Sequence, residues 1–269
     1  MPTMKRSFYY LCILLPIVLS ACKDSNNDDD EEDSSSIQLV ESISTDDGFS
    51  IRYEYSDNHR ITKKIVTDKN IRTVTYTYND AGDLVSEKSD NGRTVINNTF
   101  NKSGQDIVIT SVESGGTEEN TTVTTLKLDE NDRVSSWVYD DSGYSKFSYD
   151  NKGNVTKIEY YEDDVCTYIS EYSYNDSPSP FSSWSMPQWY FIYEERFEKK
   201  NNAGSITGTD LIKGTGLTTE YQYAYNNAGY PASVTENISG KEYVTSYTYI
   251  RKTLLGTNAL FERRYLNQK

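Results

Sequence analysis

Few side chains in this 269-residue chain are suited to nucleophilic or acid–base catalysis. The only histidine, His59, lies in a Ser-Asp-Asn-His-Arg segment typical of a turn, so we expect it to be an exposed turn residue. Cys166 lies in a strand-like segment, where a half-buried thiol is expected, and no motif pairs it with His59. The familiar enzyme signatures HExxH, G-x-S-x-G, C-x-x-C and the phosphate-binding loop do not occur. The sequence therefore predicts no catalytic residue and no cofactor.

Carboxylates are abundant, with 41 acidic against 27 basic side chains and a formal net charge of −14. A spaced pair of carboxyl groups can hydrolyse a glycosidic bond, so a glycan hydrolase is the enzymatic alternative. The acidic pairs 140–141 and 163–164 would suit calcium, but no EF-hand loop is present and turn chemistry explains both. The negative charge disfavours nucleic acid as a partner. We expect a protein that is not an enzyme and holds no metal.

One segment, residues 176–195, is rich in aromatic residues and contains three of the six prolines. Proline cannot pair within a central strand, so this segment is predicted to be a loop. In one interpretation the loop plugs one end of the sheet and buries its rings. In the other, Trp184 and Trp189 form a flat platform for a sugar or peptide, to which Trp137 adds. These three tryptophans are the candidate ligand-binding residues.

The first 22 residues are predicted to be a targeting segment. Two basic residues precede an apolar run that is too short to span a bilayer. The run ends on Leu19-Ser20-Ala21-Cys22, which resembles the lipobox cut by lipoprotein signal peptidase. The resemblance implies that the Cys22 sulfur carries a diacylglycerol and that the membrane is a partner through this lipid anchor.

The next segment, residues 23–46, is predicted to be an acidic, serine-containing tether. Seven acids and one lysine lie between residues 23 and 33, so this stretch repels itself and cannot form a core. It resembles the acidic surface-export signal that follows the acylated cysteine in lipoproteins of the Bacteroidota. The resemblance implies an outer-membrane lipoprotein that faces the medium. A plain spacer is the alternative.

Residues 47–269 are predicted to form one domain from a repeated unit. Each unit has a strand ending in two aromatic residues spaced by one, then an Asn- or Asp-rich turn with glycine, then a strand that opens with an aliphatic residue. Clear copies are 76–84, 147–155, 172–176 and 223–229. Alternation places the aromatic side chains on one face of each strand. The predicted fold is all-β, an antiparallel meander of about 16 strands that forms a curled sheet or barrel.

The pattern Tyr-Asp/Asn-x-x-Gly-x-Leu/Val resembles the tyrosine–aspartate repeats of the RHS superfamily. Together with the lipoprotein-like start, the chain resembles a family of Bacteroidota lipoproteins with a porin-like β fold. The resemblance implies a curled or closed antiparallel sheet. It implies no activity and no catalytic residues.

Two function classes follow from these patterns. The first is a non-catalytic binding or scaffold module at the cell surface, with a glycan or a surface protein as its ligand. The second is a porin-like barrel that spans the outer membrane, since about 16 strands enclose an aqueous lumen. Against spanning, the non-aromatic face of the strands carries Thr, Lys and Glu throughout, whereas a lipid-facing band is apolar. We therefore expect a water-exposed, tethered domain.

Overall fold

The computed structural model describes residues 36–253 except 141, 195–196 and 198–199. The predicted targeting segment with Cys22 and the acidic run lie outside the described residues. The described chain forms sixteen strands and one short helix. Their bounds are β1 Ser36–Thr45, β2 Ser50–Tyr55, β3 Ile61–Thr67, β4 Ile71–Tyr78, β5 Leu84–Asp90, β6 Val95–Ser103, β7 Asp106–Ser114, β8 Asn120–Leu128, β9 Val134–Val138, β10 Gly143–Tyr149, β11 Val155–Glu162, β12 Val165–Pro178, α1 Gln188–Tyr193, β13 Asn201–Asp210, β14 Thr215–Tyr225, β15 Pro231–Ile238 and β16 Lys241–Thr253.

The strands form a closed antiparallel barrel in which each strand pairs with its neighbours in the chain. Closure is made by the first and last strands, which pair from Ser36 opposite Thr253 to Thr45 opposite Thr245. The predicted all-β meander of about 16 strands is confirmed, and the sheet is a barrel rather than an open curl.

The β domain begins earlier in the chain than expected. The tether was expected to continue to residue 46, whereas β1 starts at Ser36 and completes the barrel. Leu39 and Val40 are fully buried and Ile43 is nearly so, which anchors this strand against the interior. The serines between these aliphatic residues make the segment resemble a spacer, although serine is compatible with the water-facing side of a strand.

Alternation separates an apolar inner face from a polar outer face. On β4, Val74 and Tyr76 are buried while Thr75 and Thr77 are exposed. The alternation recurs on other strands, and the outer wall carries Thr, Ser, Lys, Glu and Asn together with exposed Ile71 and Val123 and the stacked rings of Tyr144 and Tyr161. The prediction of an aromatic core face and a polar opposite face is confirmed for this strand.

The barrel has two rims with different turns. One, which we call the tyrosine rim, carries the longer turns that follow the aromatic residues, such as 79–83 and 150–154. There the Asp150 Oδ1 atom accepts hydrogen bonds from the main-chain N–H groups of Lys152 and Asn154, both at 2.9 Å. Glycine takes the left-handed position in three of these turns, at Gly82 (φ 89°), Gly153 (φ 89°) and Gly229 (φ 78°), whereas His59 (φ 64°) and Asp132 (φ 59°) take it in two others.

Residues 179–194 of the connection between β12 and β13 pack inside the barrel and are called the plug here. Its single helix turn, α1, buries Trp189, Tyr190, Phe191 and Ile192, and Phe181 is also buried. The aromatic side chains of the predicted loop thus join the core, as the plug interpretation expected, although the loop begins at 179 rather than 176 because β12 continues to Pro178, opposite Asn201. Within the described residues, no helix has the length and apolar character needed to cross a membrane.

Candidate functional site

The three candidate tryptophans all lie inside the barrel, each less than a tenth exposed. The Trp184 Nε1–H group donates to the Tyr55 hydroxyl at 3.0 Å, and its ring packs 4.9 Å from that of Tyr53. Trp137, on β9, packs 5.0 Å from the Tyr139 ring. Trp184 and Trp137 are therefore core residues, whereas Trp189 also lines a cavity at the tyrosine rim.

A buried polar cluster joins the plug to the barrel wall. Lys64 forms an ion pair with Glu194, which follows α1. The Tyr190 hydroxyl donates to Glu87 Oε2 at 2.5 Å and lies 3.2 Å from Glu194 Oε1. The Asn98 amide donates to the other Glu87 oxygen at 2.8 Å. Because both carboxyl groups bind side chains of the protein itself, the cluster acts as a latch for the plug.

Burial and neighbouring charge shift the pKa values of the latch residues. Burial raises the pKa of Glu87, and the neighbouring Glu194 carboxylate raises it further, against the stabilising effect of Tyr190 and Lys64. Burial likewise raises the pKa of the Tyr190 hydroxyl well above its ordinary range.

Five tyrosines bond across strand pairs at the tyrosine rim, and we call them the rung tyrosines. Each is the last inward aromatic of an even-numbered strand, and its hydroxyl donates to a main-chain carbonyl on the preceding strand, beyond the last paired residues. The pairs are Tyr55 to Val40 at 2.5 Å, Tyr78 to Ile61 at 2.8 Å, Tyr149 to Val134 at 2.7 Å, Tyr174 to Val155 at 2.7 Å and Tyr249 to Pro231 at 2.7 Å.

One predicted rung differs. The sequence pattern placed Tyr225 in the same role as Tyr78, Tyr149 and Tyr174. Instead Tyr225 is 41% exposed, and its hydroxyl accepts a hydrogen bond from the Asn175 side chain at 3.1 Å. It therefore joins neighbouring turns at the rim rather than packing in the core.

A cavity of about 550 Å³ opens at the tyrosine rim, between β5 and β6, and we call it the seam cavity. It lies between the turns 79–83 and 129–133 and is bounded on its inner side by the start of the plug helix. Its wall combines apolar and polar side chains: Asn79, Asp83, Leu84, Val85, Phe100, Asn101, Lys102, Ile107, Leu128, Asn131, Asp132, Pro187, Gln188 and Trp189.

Charged residues at the mouth of the seam cavity are paired with one another. The Lys102 ammonium lies 2.8 Å from Asp132, on the opposite side of the opening. Asp83 accepts a hydrogen bond from the Asn79 side chain at 3.2 Å. No sequence pattern marks these residues, because they come from turns and a strand whose proximity depends on closure of the barrel.

The remaining candidate residues do not come together in a catalytic or metal-binding site within the described residues. Across the described part of the chain, no group of three or more His, Cys, Asp and Glu side chains is placed to hold a metal. Asp163 and Asp164 form a tight hairpin turn with positive φ values of 48° and 62°. His59 occupies a turn with φ 64°, as expected, but it is half-buried rather than exposed. Cys166 is a half-buried free thiol on β12, as expected.

Comparison with solved structures finds matches to proteins described as porin-like. A porin-like protein from Bacteroides uniformis ATCC 8492 is 18% identical, with 80% of this chain and 97% of that chain covered and a TM-score of 0.48. A porin-like protein from Bacteroides vulgatus ATCC 8482 is 10% identical, with 80% and 99% covered and a TM-score of 0.43. No protein-family model and no curated protein matches the chain.

Proposed function

We propose that this chain is a lipid-tethered barrel with a water-facing outer wall, which serves as a non-catalytic binding module for a glycan or protein ligand. The observation that carries the proposal is the outer wall. Exposed Arg52, Lys88 and Lys146 lie on it, with the Lys146 ammonium over the rings of Tyr144 and Tyr161. A lysine or arginine that faces lipid near the bilayer midplane costs about 2–4 kcal/mol, so such a wall favours contact with water.

The packing of the plug at the tyrosine-rim end of the barrel also supports binding over conduction. The plug packs its rings against the inner faces of the strands, with Trp184 4.6 Å from Phe181 and Trp189 5.1 Å from Phe100. Dense aromatic packing leaves little room for solute passage at this end of the barrel. A rigid barrel with a sealed end instead provides a stable support for binding residues on its turns.

The predicted lipobox supports the location. Lipid on Cys22 would hold the barrel at the outer membrane, and the acidic run that follows favours the outward-facing side. Counted from Cys22 to Ser36, the tether spans about 14 residues, a root-mean-square reach of roughly 20 Å. This is enough for the barrel to stand clear of the lipid surface.

A porin that spans the outer membrane is the second candidate. The observation in its favour is the closed ring of sixteen strands, since membrane barrels of that size enclose an aqueous channel. In this case the plug would have to leave the lumen, or leave a path beside it, for solutes to cross.

Solubility and conductance separate the two candidates. The chain from residue 23 onward, which lacks the lipid acceptor, would be examined by sedimentation without detergent and in planar lipid bilayers. The proposal expects a monomer in plain buffer and no conductance steps. Dependence on detergent together with stepwise conductance would establish the porin.

Location has its own test. Cells that express the full chain would be fed an alkyne fatty acid, and surface exposure would be measured by protease treatment of intact cells. We expect label on the wild type, no label on Cys22→Ala, and cleavage of the labelled protein from outside. Label that persists in Cys22→Ala would remove the lipid anchor from the proposal.

A further inference from the structure

The seam cavity lies where the interstrand seam between β5 and β6 is left open at the tyrosine rim. Paired residues between β5 and β6 end at Ser86 opposite Thr99. In five other hairpins a rung tyrosine bonds across the equivalent gap, but here the pattern position is Phe100, which has no hydroxyl. The next seam, between β7 and β8, has Leu128 at that position and is closed by its main-chain N–H, which donates to the Gln105 carbonyl at 2.6 Å.

The inner wall of this opening is apolar and aromatic. Phe100 and Trp189 contribute rings whose centroids lie 5.1 Å apart, and Leu84 and Leu128 flank them. A volume of about 550 Å³ lies within the range of roughly 300–1,000 Å³ typical of small-ligand pockets. The apolar C–H face of a ring-shaped ligand suits this wall.

The mouth presents neutral polar groups. Lys102 and Asp132 neutralise each other across it, and Asp83 is engaged with Asn79. What remains toward the opening are the exposed side-chain amides of Asn101 and Asn131. An amide both donates and accepts, which matches a hydroxyl group, whereas an anion would meet the Asp83 carboxylate and a chain of net charge −14.

We propose that the seam cavity binds a neutral saccharide, with the sugar ring against Phe100 and Trp189 and its hydroxyl groups bonded to the Asn101 and Asn131 amides. This inference rests on the proposed binding function and assigns a ligand class and a site to it. The missing rung hydroxyl gives the site its position, because a rung tyrosine bonds across the equivalent seam in five of the other hairpins.

The test uses the lipid-free chain from residue 23 and an array of neutral, acidic and amino sugars, followed by calorimetric titration of the neutral glycans that bind. We expect neutral glycans to bind, and the double variant Asn101→Ala/Asn131→Ala to weaken binding by about tenfold or more, since two hydrogen bonds are lost. Asn97→Ala is the matched control, because Asn97 is an exposed asparagine on the outer face of the same strand.

A second variant fills the cavity instead of removing its polar groups. Val85→Trp would occupy the opening beside Leu84 and should abolish neutral-glycan binding while the thermal unfolding temperature confirms a folded barrel. If Val85→Trp does not fold, the exposed-amide variant still decides the question, because exposed substitutions change stability little.

Several outcomes would overturn the inference. Equal affinity of wild type and the double asparagine variant would place the saccharide elsewhere on the barrel and leave the binding function intact. Selective capture of amino sugars or acidic glycans would assign the wrong ligand class. If no glycan binds, the saccharide site is wrong. The proposed binding module is tested separately, and stepwise conductance together with dependence on detergent would contradict it.

Discussion

The Tyr149 hydroxyl donates to the main-chain carbonyl of Val134 at 2.7 Å, which fastens the end of β10 to the start of β9. The regular interstrand pairs between these strands stop at Lys146 opposite Ser136, so this bond holds the hairpin together beyond its ladder. The side chain is half-buried and packs against the core, and burial raises the pKa of its hydroxyl above the ordinary range. A donor, rather than a phenolate, is therefore maintained at the rim.

Removing that hydroxyl should weaken the barrel by a modest, defined amount. Tyr149→Phe leaves the Val134 carbonyl without its side-chain donor, for a loss of about 1–3 kcal/mol. Tyr149→Ala also removes the ring and should cost about 3–5 kcal/mol. Urea unfolding of the lipid-free chain measures both. Thr77→Ala, on the exposed outer face, is the control and should stay within about ±0.5 kcal/mol. Equal losses of unfolding free energy for Tyr149→Ala and Thr77→Ala would show that the rung tyrosines do not stabilise the barrel.

Gly153 offers a test of backbone strain alone. Its φ is 89°, and a Cβ atom placed there would meet nothing within 4 Å. Gly153→Val should therefore destabilise the barrel through conformation rather than collision, by about 1–2 kcal/mol or more. Gly153→Asn is the matched variant, since asparagine adopts positive φ more readily and should lose less. Thermal unfolding of the two proteins compares them, and identical losses would contradict the assignment to strain.

The latch predicts a pH dependence of stability. Because burial and the Glu194 charge raise the pKa of Glu87 in the folded protein, its stabilising effect is present below the ordinary value of 4.5 and is lost as the pH rises through the raised value. Glu87→Gln cannot ionise. The free energy of unfolding of this variant should therefore rise relative to wild type across that window. Urea titrations from about pH 4 to about pH 8 measure the difference. A difference that does not change with pH would contradict the latch.

The plug should contribute strongly to stability. Trp184 is 7% exposed and donates to the rung residue Tyr55, so Trp184→Ala removes a packed ring and a hydrogen bond. We expect a loss of about 3–5 kcal/mol in urea unfolding. Ser185→Ala, an exposed neighbour in the same loop, is the control and should be nearly silent. A silent Trp184→Ala would mean that the plug does not support the barrel.

Much of the architecture could be predicted from the sequence because the repeat carries it locally. Aromatic residues at alternate positions define the inner face of β4, and the glycine three residues after Asn79 defines the turn that follows. These signals lie within ten residues of one another, where strand period and turn chemistry apply directly. The first strand escaped prediction because Ser36–Thr45 lacks the aromatic pair and follows a serine run.

The latch and the seam cavity could not be predicted in the same way. Lys64 and Glu194 are 130 residues apart in the chain, and Glu87 is 103 residues from Tyr190. A lysine on a strand, such as Lys64, is expected to face solvent unless a buried partner such as Glu194 is known. The seam cavity, likewise, follows from a missing hydroxyl at Phe100, which becomes informative only after the rung bonds of the other hairpins are known.

Closure by β1 and β16 has a kinetic consequence. The Ser42 and Thr248 hydroxyl groups, 2.8 Å apart across that pair, are separated by 206 residues in the chain. All other strand pairs in the barrel join strands that are consecutive in sequence. A growing chain can therefore add hairpins one at a time, while one edge of β1 has no strand to pair with. Until β16 arrives, both ends of the nascent sheet are templates for another chain. The last strand therefore ends the interval in which the protein is vulnerable to aggregation.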